Sequence, residues 1–337
     1  MMYLDFSKVV KNSLTFNYII GPRGNGKTYG ALAWANQTGS KYILMRRTQT
    51  EMDILTSKMI DQFEELNRDF GWHYSIDKAG KNMAVIWDTS KEDASDNIGL
   101  GLCLSTIRTI RGFNGLSYEY LIYDEFIPET TAKAMKGEAS AFLQAYETIN
   151  RNRELQGREP MKVFLLSNSN DLAHPLLCDL GIDRYIEKMA RKNEEMISIP
   201  ERDCTIWLPK SSEYVERKAE TALYKFSQGT KFYKMALNNE FSSNDQSGVR
   251  SYDCFKMKPI VSIDKNFCIY KDKKSPIYYC AFFRHGRPKT YSDNDGGWSS
   301  FIADYRQELT AVYLRGNMRF ETYNLKSKIL ALLGYKC

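Results

Sequence analysis

Gly21-Pro22-Arg23-Gly24-Asn25-Gly26-Lys27-Thr28 is the stretch on which the reading of this chain turns. Its spacing is G-x-x-x-x-G-K-T. Upstream, Thr15-Phe16-Asn17-Tyr18-Ile19-Ile20 is the apolar run of a buried strand. Downstream, Tyr29 to Asn36 is rich in Ala and predicts a helix. Strand, loop and helix in that order are the setting in which this spacing binds phosphate. Glycines at 21, 24 and 26 permit positive φ and close backbone approach, so successive N–H groups can turn toward phosphate oxygens. The N-terminus of the following helix adds partial positive charge. All eight residues are therefore candidate ATP contacts. Lys27 would reach the β- and γ-phosphates, and the Thr28 hydroxyl would ligate Mg²⁺.

Composition sets the frame around that loop. A chain of 337 residues with 43% hydrophobic and 26% charged residues has the makeup of an ordinary globular protein, and its length suggests two domains. Met1-Met2-Tyr3-Leu4-Asp5 has neither a basic n-region nor an apolar h-region, so no signal peptide is expected, and no run is long enough to span a membrane. Seven cysteines (103, 178, 204, 254, 268, 280, 337) are scattered and never form C-x-x-C. They read as reduced thiols rather than as a zinc site. Histidines 73, 174 and 285 are isolated.

Further along, Lys41 to Met45, Leu100 to Ser105 and Lys162 to Leu166 read as core strands. Trp72 to Trp87 reads as a hairpin, and Glu51 to Leu66 and Thr131 to Leu155 as helical stretches. Alternation of strands and helices predicts an α/β fold with a mostly parallel sheet. The run Tyr120-Leu121-Ile122-Tyr123-Asp124-Glu125 is the natural partner of the glycine loop. A buried strand would project Asp124 toward a Mg²⁺ held by Thr28. Glu125, one residue on, would orient and deprotonate an attacking water. Asn168 follows Ser167 at the end of the next strand, where a polar side chain can register the γ-phosphate. Arg151 and Arg153, late in the preceding helical stretch, are candidates for an arginine finger in a neighbouring subunit's site. Arg46, Arg47 and Arg23 are further cations for that role. Arg108 and Arg111, in a basic connector, are candidates to line a channel.

The charge is uneven. The net charge is +6, and from Lys271 to the C-terminus twelve Lys/Arg stand against six Asp/Glu. The surplus of the whole chain therefore sits in its last fifth, among aromatics, which suits a polyanionic partner as well as a solvated basic face. Before it, Phe241 to Gly248 has linker composition.

GPRGNGKT (21–28), ILMRRT (43–48), YLIYDE (120–125) and FLLSNSND (164–171) together resemble the ATPase domain of terminase-like genome-packaging motors. The short length and basic C-terminal part are most similar to the DNA encapsidation ATPases of small podoviral phages, whose motor works with a prohead RNA. The resemblance covers roughly Thr15 to Asp171 firmly. It implies a P-loop NTPase of the ASCE type over residues 1–208, a helical linker over 209–248 and a small α+β domain, RNase H-like, over 249–337. Lys27, Thr28, Asp124 and Glu125 fall on the family's nucleotide, Mg²⁺ and catalytic positions, and Asn168 in its coupling motif. The arginine finger falls on Arg151 or Arg153. The family implies a homomeric ring, a pentamer, in the host cytoplasm at the portal vertex of a procapsid. There it moves viral double-stranded DNA and contacts portal protein and prohead RNA, with no membrane.

Larger terminases cut DNA with carboxylates clustered in the RNase H-like domain. Here Ile277 to Phe283 carries no acid, Asp293 and Asp295 fall in a Gly-rich turn, and Asp304 and Glu308 look like helix-surface acids. The expectation is an inactive, vestigial nuclease fold. The competing readings are a terminase large subunit with an active nuclease, a P-loop kinase of small molecules, and a binding scaffold whose loop has decayed.

Overall fold

The computed structural model describes residues 3–57, 61–91, 96–110, 115–128, 137–168, 171–209, 213–230, 247–264 and 266–335, with positions 113, 135, 232, 233 and 237. Arg111 and the linker residues 241–246 lie outside these. The chain divides into two compact units. One comprises residues 1–171 with 188–242, and the other residues 172–187 with 243–337.

A nine-stranded sheet forms the first unit. Its spatial order is β3 (Tyr74–Lys78), β4 (Met83–Asp88), β5 (Gly99–Cys103), β2 (Tyr42–Arg46), β6 (Tyr120–Asp124), β7 (Lys162–Asn168), β1 (Phe16–Gly21), β9 (Cys204–Trp207) and β8 (Met196–Ile199). From β5 across to β9 every pairing is parallel, and antiparallel strands close both ends. The central strands are buried along nearly their whole length, as expected when helices cover both faces of a parallel sheet. Helices α1 (Phe6–Lys11) and α2 (Lys27–Gln37) pack Phe6, Val9, Ala31, Leu32 and Ala35 into a core that includes Ile19, Leu44, Ile122 and Phe164, one from each of β1, β2, β6 and β7.

Several local readings change. Glu51 to Leu66 is not one helix but two, α3 (Gln49–Leu55) and α4 (Glu64–Phe70). The Thr56 and Ser57 hydroxyls donate back to the carbonyls of Met52 and Ile54 at 3.2 and 2.6 Å, a competing bond that favours helix ends. Within Thr131 to Leu155, helix α5 (Glu138–Asn150) stops where Arg151 and Asn152 adopt left-handed backbone. Strands β8 and β9 lie beyond the motifs and extend the sheet past β1.

In the second unit, β10 (Lys258–Ile263), β11 (Phe267–Lys271) and β12 (Tyr278–Ala281) form an antiparallel meander. One parallel strand flanks each side: β13 (Lys289–Tyr291) beside β10, and β14 (Met318–Phe320) beside β12. Helices Asp295–Leu314 and Tyr323–Leu333 supply Phe301, Leu309, Leu325, Ile329 and Leu330 to its core. Asp295, expected in a turn, opens the longer helix, and the Asn294 side chain caps it by accepting from the Gly297 N–H at 2.9 Å. The segment 172–187, expected with the first domain, groups with this second unit instead. The Tyr323 N–H donates to Glu187 at 2.8 Å, Asn324 donates to Asp183 at 3.1 Å, and Arg184 lies over the Phe282 ring at 4.1 Å. Such long-range polar contacts leave no trace in local pattern. Among the described residues no helix is long and apolar enough to cross a membrane.

A buried ion pair ties β2 to α5. Arg47 donates from Nε and Nη2 to the two Glu138 oxygens at 2.8 and 3.2 Å, with side chains 3% and 1% exposed. Removing one partner strands a charge in the interior. Arg47→Ala should therefore cost about 3–5 kcal/mol in a denaturant titration, whereas Arg47→Met combined with Glu138→Leu should cost markedly less.

Candidate functional site

Parallel strands end at the same edge of a sheet, and ligands bind outside those carboxyl ends. Register sets what meets there. Gly21 pairs with Asn168, Asp124 with Leu166, and Met45 with Tyr123. The loop after β1, the last residues of β6 and β7, and Arg46 at the end of β2 are thereby gathered at one place. A cleft of about 260 Å³ opens over them, lined by Arg23, Lys27, Thr28, Asp124, Glu125 and Asn168, with Tyr3 and Tyr29 at its side.

Within the loop, Gly24 and Gly26 take φ of 78° and 79°, left-handed values that cost residues with a Cβ. Gly26 caps α2 in that conformation. Lys27 is buried. Its ammonium donates to the carbonyls of Gly21 (3.1 Å) and Pro22 (2.9 Å) and to Oδ1 of Asn25 and Asn168 (both 3.2 Å). Burial pulls its pKa down to about 7, against the pull of Asp124 and Glu125 in the other direction. All four acceptors of the ammonium are neutral oxygens, so an anion entering the cleft would favour its charged form.

Thr28 donates from Oγ1 to Asp124 Oδ1 at 2.7 Å. Asp124 is buried at the end of β6. Burial pushes its carboxyl above the ordinary carboxylate value, and Arg46 opposes the shift. Arg46 Nη2 lies 3.0 Å from Asp124 Oδ2, but no hydrogen bond of good geometry reaches that oxygen. Glu125 carries a φ of 54° and is well exposed, and its Oε2 accepts from Arg46 Nη1 at 2.7 Å. Burial works against the Arg46 charge, yet the two carboxylates outweigh it and hold its pKa up.

The remaining sequence candidates separate. Asn168 reaches Lys27, and Ser167 is buried and accepts from the Ile127 N–H at 3.2 Å. Arg151 is exposed and donates to the Phe113 carbonyl at 3.1 Å. Arg153, in contrast, is buried and donates to the backbone carbonyls of Gly115 and Tyr118 at 2.6 and 2.5 Å. Arg47 is spent on Glu138. Neither Arg153 nor Arg47 extends to solvent. Arg23 is exposed in the loop, its carbonyl accepting from Lys218 at 2.9 Å. Arg108 is exposed on a 3₁₀ turn, Leu104–Ile110. Sequence reasoning missed Tyr3. The Tyr3 ring packs against Gly26 and lies 4.7 Å from Tyr29, while the Leu4 N–H donates to Asn25 at 2.9 Å. An aromatic residue ahead of the first strand was the one available signal.

An α/β protein with a charged cleft at the carboxyl ends of a mostly parallel sheet is the class that this fold and geometry define. The family model described as podovirus DNA encapsidation protein (Gp16) matches residues 1–328. The chain belongs to that family. The DNA packaging protein of Bacillus phage phi29 is 23% identical over 97% of this chain and 95% of its own. Two solved structures share the fold. A chain of the bacteriophage Phi-29 viral genome packaging motor assembly matches with a TM-score of 0.70 at 17% identity, covering 99% of both chains. A chain of the Phi-28 gp11 DNA packaging motor matches with a TM-score of 0.59 at 16% identity, again over 99% of both.

A Cβ placed on Gly26 would lie 2.6 Å from the Tyr3 ring, in addition to the left-handed φ. Gly26→Ala should destabilise the first unit by roughly 1–2 kcal/mol from the backbone alone. Adding Tyr3→Gly, which removes both the ring and the Tyr3 Cβ that also lies 2.6 Å away, should recover only the steric share, read as a partial return of the thermal midpoint.

Proposed function

We propose that this chain is the ATP-driven motor of phage DNA packaging, hydrolysing ATP in the cleft at the end of the sheet. The observation that carries the reading is the meeting of Lys27, Thr28 and Asp124, with the Thr28–Asp124 hydrogen bond of 2.7 Å at its centre. On this reading residues 21–28 are the P-loop of an ASCE-type NTPase. Lys27 and the loop amides bind the phosphates, and the ammonium, held by neutral oxygens, would gain a charged partner. Mg²⁺ suits the neighbouring donors, the Thr28 hydroxyl and a buried Asp124 carboxylate whose Oδ2 meets the Arg46 guanidinium at 3.0 Å without a hydrogen bond of good geometry. Thr28 and Asp124 would hold the ion, which when bound offsets negative charge on the phosphates.

Glu125 orients the attacking water and accepts its proton. Asn168 links Lys27 to β7, so a change at the phosphates reaches the next strand. Arg151 rather than Arg153 serves as the finger in trans, because its side chain is exposed. The working form is a homomeric ring, a pentamer, at the portal vertex of a procapsid in the host cytoplasm, and double-stranded DNA passes through it. Hydrolysis at subunit interfaces fits a finger supplied by the neighbour.

The second unit we read as an RNase H-like fold that no longer cuts. Asp293, Asp304 and Glu308 are engaged by neighbouring donors. Asp304 accepts from Lys289 at 2.6 Å and from Tyr291, Glu308 accepts from Tyr278 at 2.5 Å, and Asp293 accepts from Trp298 at 3.0 Å. The basic excess suits prohead RNA, with portal protein as the other contact of the assembly.

Two measurements test these readings. ATP turnover should rise when double-stranded DNA is added, and Glu125→Ala should lower it about 10²-fold or more. Turnover indifferent to both would overturn the motor reading. For the RNA contact, affinity of the full chain for structured RNA should fall linearly in log–log salt titration. Charge reversal at Lys273 and Lys274 should make that slope shallower by about one to two.

A further inference from the structure

We propose that the exposed rings of Phe255 and Phe283, in the second unit, form a platform on which unpaired bases of an RNA stack. The proposal rests on the reading of this unit as the RNA contact, and it names the surface and the part of the RNA that would meet.

The platform is assembled from three stretches of chain. Strand β11 places the Tyr270 ring in the core, fully buried. The His285 imidazole, between β12 and β13, stacks on that ring with centroids 5.0 Å apart and planes 22° from parallel. Phe255, on the 3₁₀ turn Cys254–Lys256, stacks on the same imidazole at 5.0 Å and 20°. The Phe283 ring stands beside them, 5.4 Å from Phe255 and 6.0 Å from His285. Hydrogen bonds hold this arrangement from behind. The Tyr270 hydroxyl donates to the Phe283 carbonyl at 2.7 Å and accepts from the His285 N–H at 3.1 Å. His285 Nε2 bonds the Cys254 carbonyl, and Asp253 caps the turn by accepting from the Phe255 N–H at 3.1 Å.

On the outer side nothing comparable closes the stack. Phe255 is 71% exposed and Phe283 is 48% exposed. Adjacent open rings on a fixed base are an interaction surface rather than scattered surface apolarity. Their shape suits a flat partner, because aromatic faces gain most from another ring in offset contact.

Charge selects the partner. Lys256, Lys258, Arg284 and Arg287 are exposed on the same two segments. A Cβ on Gly286 would lie 2.8 Å from Pro259, so the turn bearing the two arginines rests against the start of β10. Asp253 meets Lys256 at 3.3 Å and Asp264 meets Arg284 at 3.4 Å, while among the described residues Lys258 and Arg287 are in no ion pair. Aromatic faces among cations match a base and its phosphate together. Duplex DNA keeps its bases stacked on one another. Folded RNA offers splayed bases in loops and bulges, so RNA is the occupant that fits.

The test uses the full chain and an RNA hairpin whose loop carries 2-aminopurine, beside a fully paired RNA duplex of equal length. Wild type should bind the hairpin more tightly than the duplex and quench the loop fluorophore. Phe255→Ala with Phe283→Ala should weaken hairpin binding about 10-fold, abolish the quench and leave the log–log salt slope unchanged, since stacking releases no counterions. Lys258→Ala with Arg287→Ala should instead make that slope shallower by about one to two. Phe255→Tyr should retain the quench and Phe255→Leu should lose it. This pair also serves should the double alanine variant fail to fold. Full hairpin affinity and quench in Phe255→Leu or in the double alanine variant would overturn the proposal. Tighter binding of a DNA hairpin with the same loop would overturn the choice of RNA. Unchanged RNA affinity beside weakened attachment to RNA-free procapsids would make the patch a protein contact and overturn it too. No binding of either RNA by wild type would defeat the RNA reading itself, a result distinct from equal binding of hairpin and duplex that the phenylalanine variants leave untouched.

Discussion

The register among β2, β6, β7 and β1 is the constraint from which the site follows. Four parallel strands, buried on both faces, cannot slip against each other by a residue without turning apolar side chains out of the core. That registry holds Arg46, Asp124, Asn168 and the glycine loop level with one another at a single edge. The cleft's polar atoms are thereby placed by apolar contacts such as those of Ile19, Leu44, Ile122 and Phe164, which never touch a ligand.

At that edge the protein balances charges in a dry setting. Lys27, Arg46 and Asp124 are all substantially buried, and each loses hydration that its neighbours must replace. Lys27 obtains neutral oxygens, Asp124 obtains Thr28 and Arg46, and Glu125 alone remains largely in water. This leaves the Lys27 ammonium with neutral acceptors only and Asp124 Oδ2 facing the Arg46 guanidinium. Under the proposed function, a phosphate group and a divalent cation would complete that distribution of partners. Arg47, one residue from Arg46, faces away and ties β2 to α5, so adjacent arginines do unrelated work.

Much of this was legible beforehand. The loop 21–28 and the acidic end of β6 are local patterns, and a strand's period is enough to say that Asp124 leaves the core at its carboxyl end. The mostly parallel sheet followed from alternating elements. The arginines were not legible. Arg46, Arg47, Arg151 and Arg153 are alike in sequence, yet one bridges two carboxylates, one is locked in a buried pair, one is exposed and one is spent on backbone carbonyls. A long cation's role is set by whichever acceptor lies within its reach, and that acceptor comes from a distant part of the chain.

The sequence by itself determined that a strand, a glycine loop and a helix stand at the start of an α/β unit, and that two carboxylates end a buried strand. These depend on neighbours within a few residues, where φ preference and hydrophobic period act. Only the tertiary structure decided that Tyr3 lies on Gly26, that Leu172–Glu187 joins the second unit, and that Glu125 turns back to Arg46. Each of these is settled by packing or ion pairing between segments far apart in the chain, and no local pattern encodes which distant partner will be there.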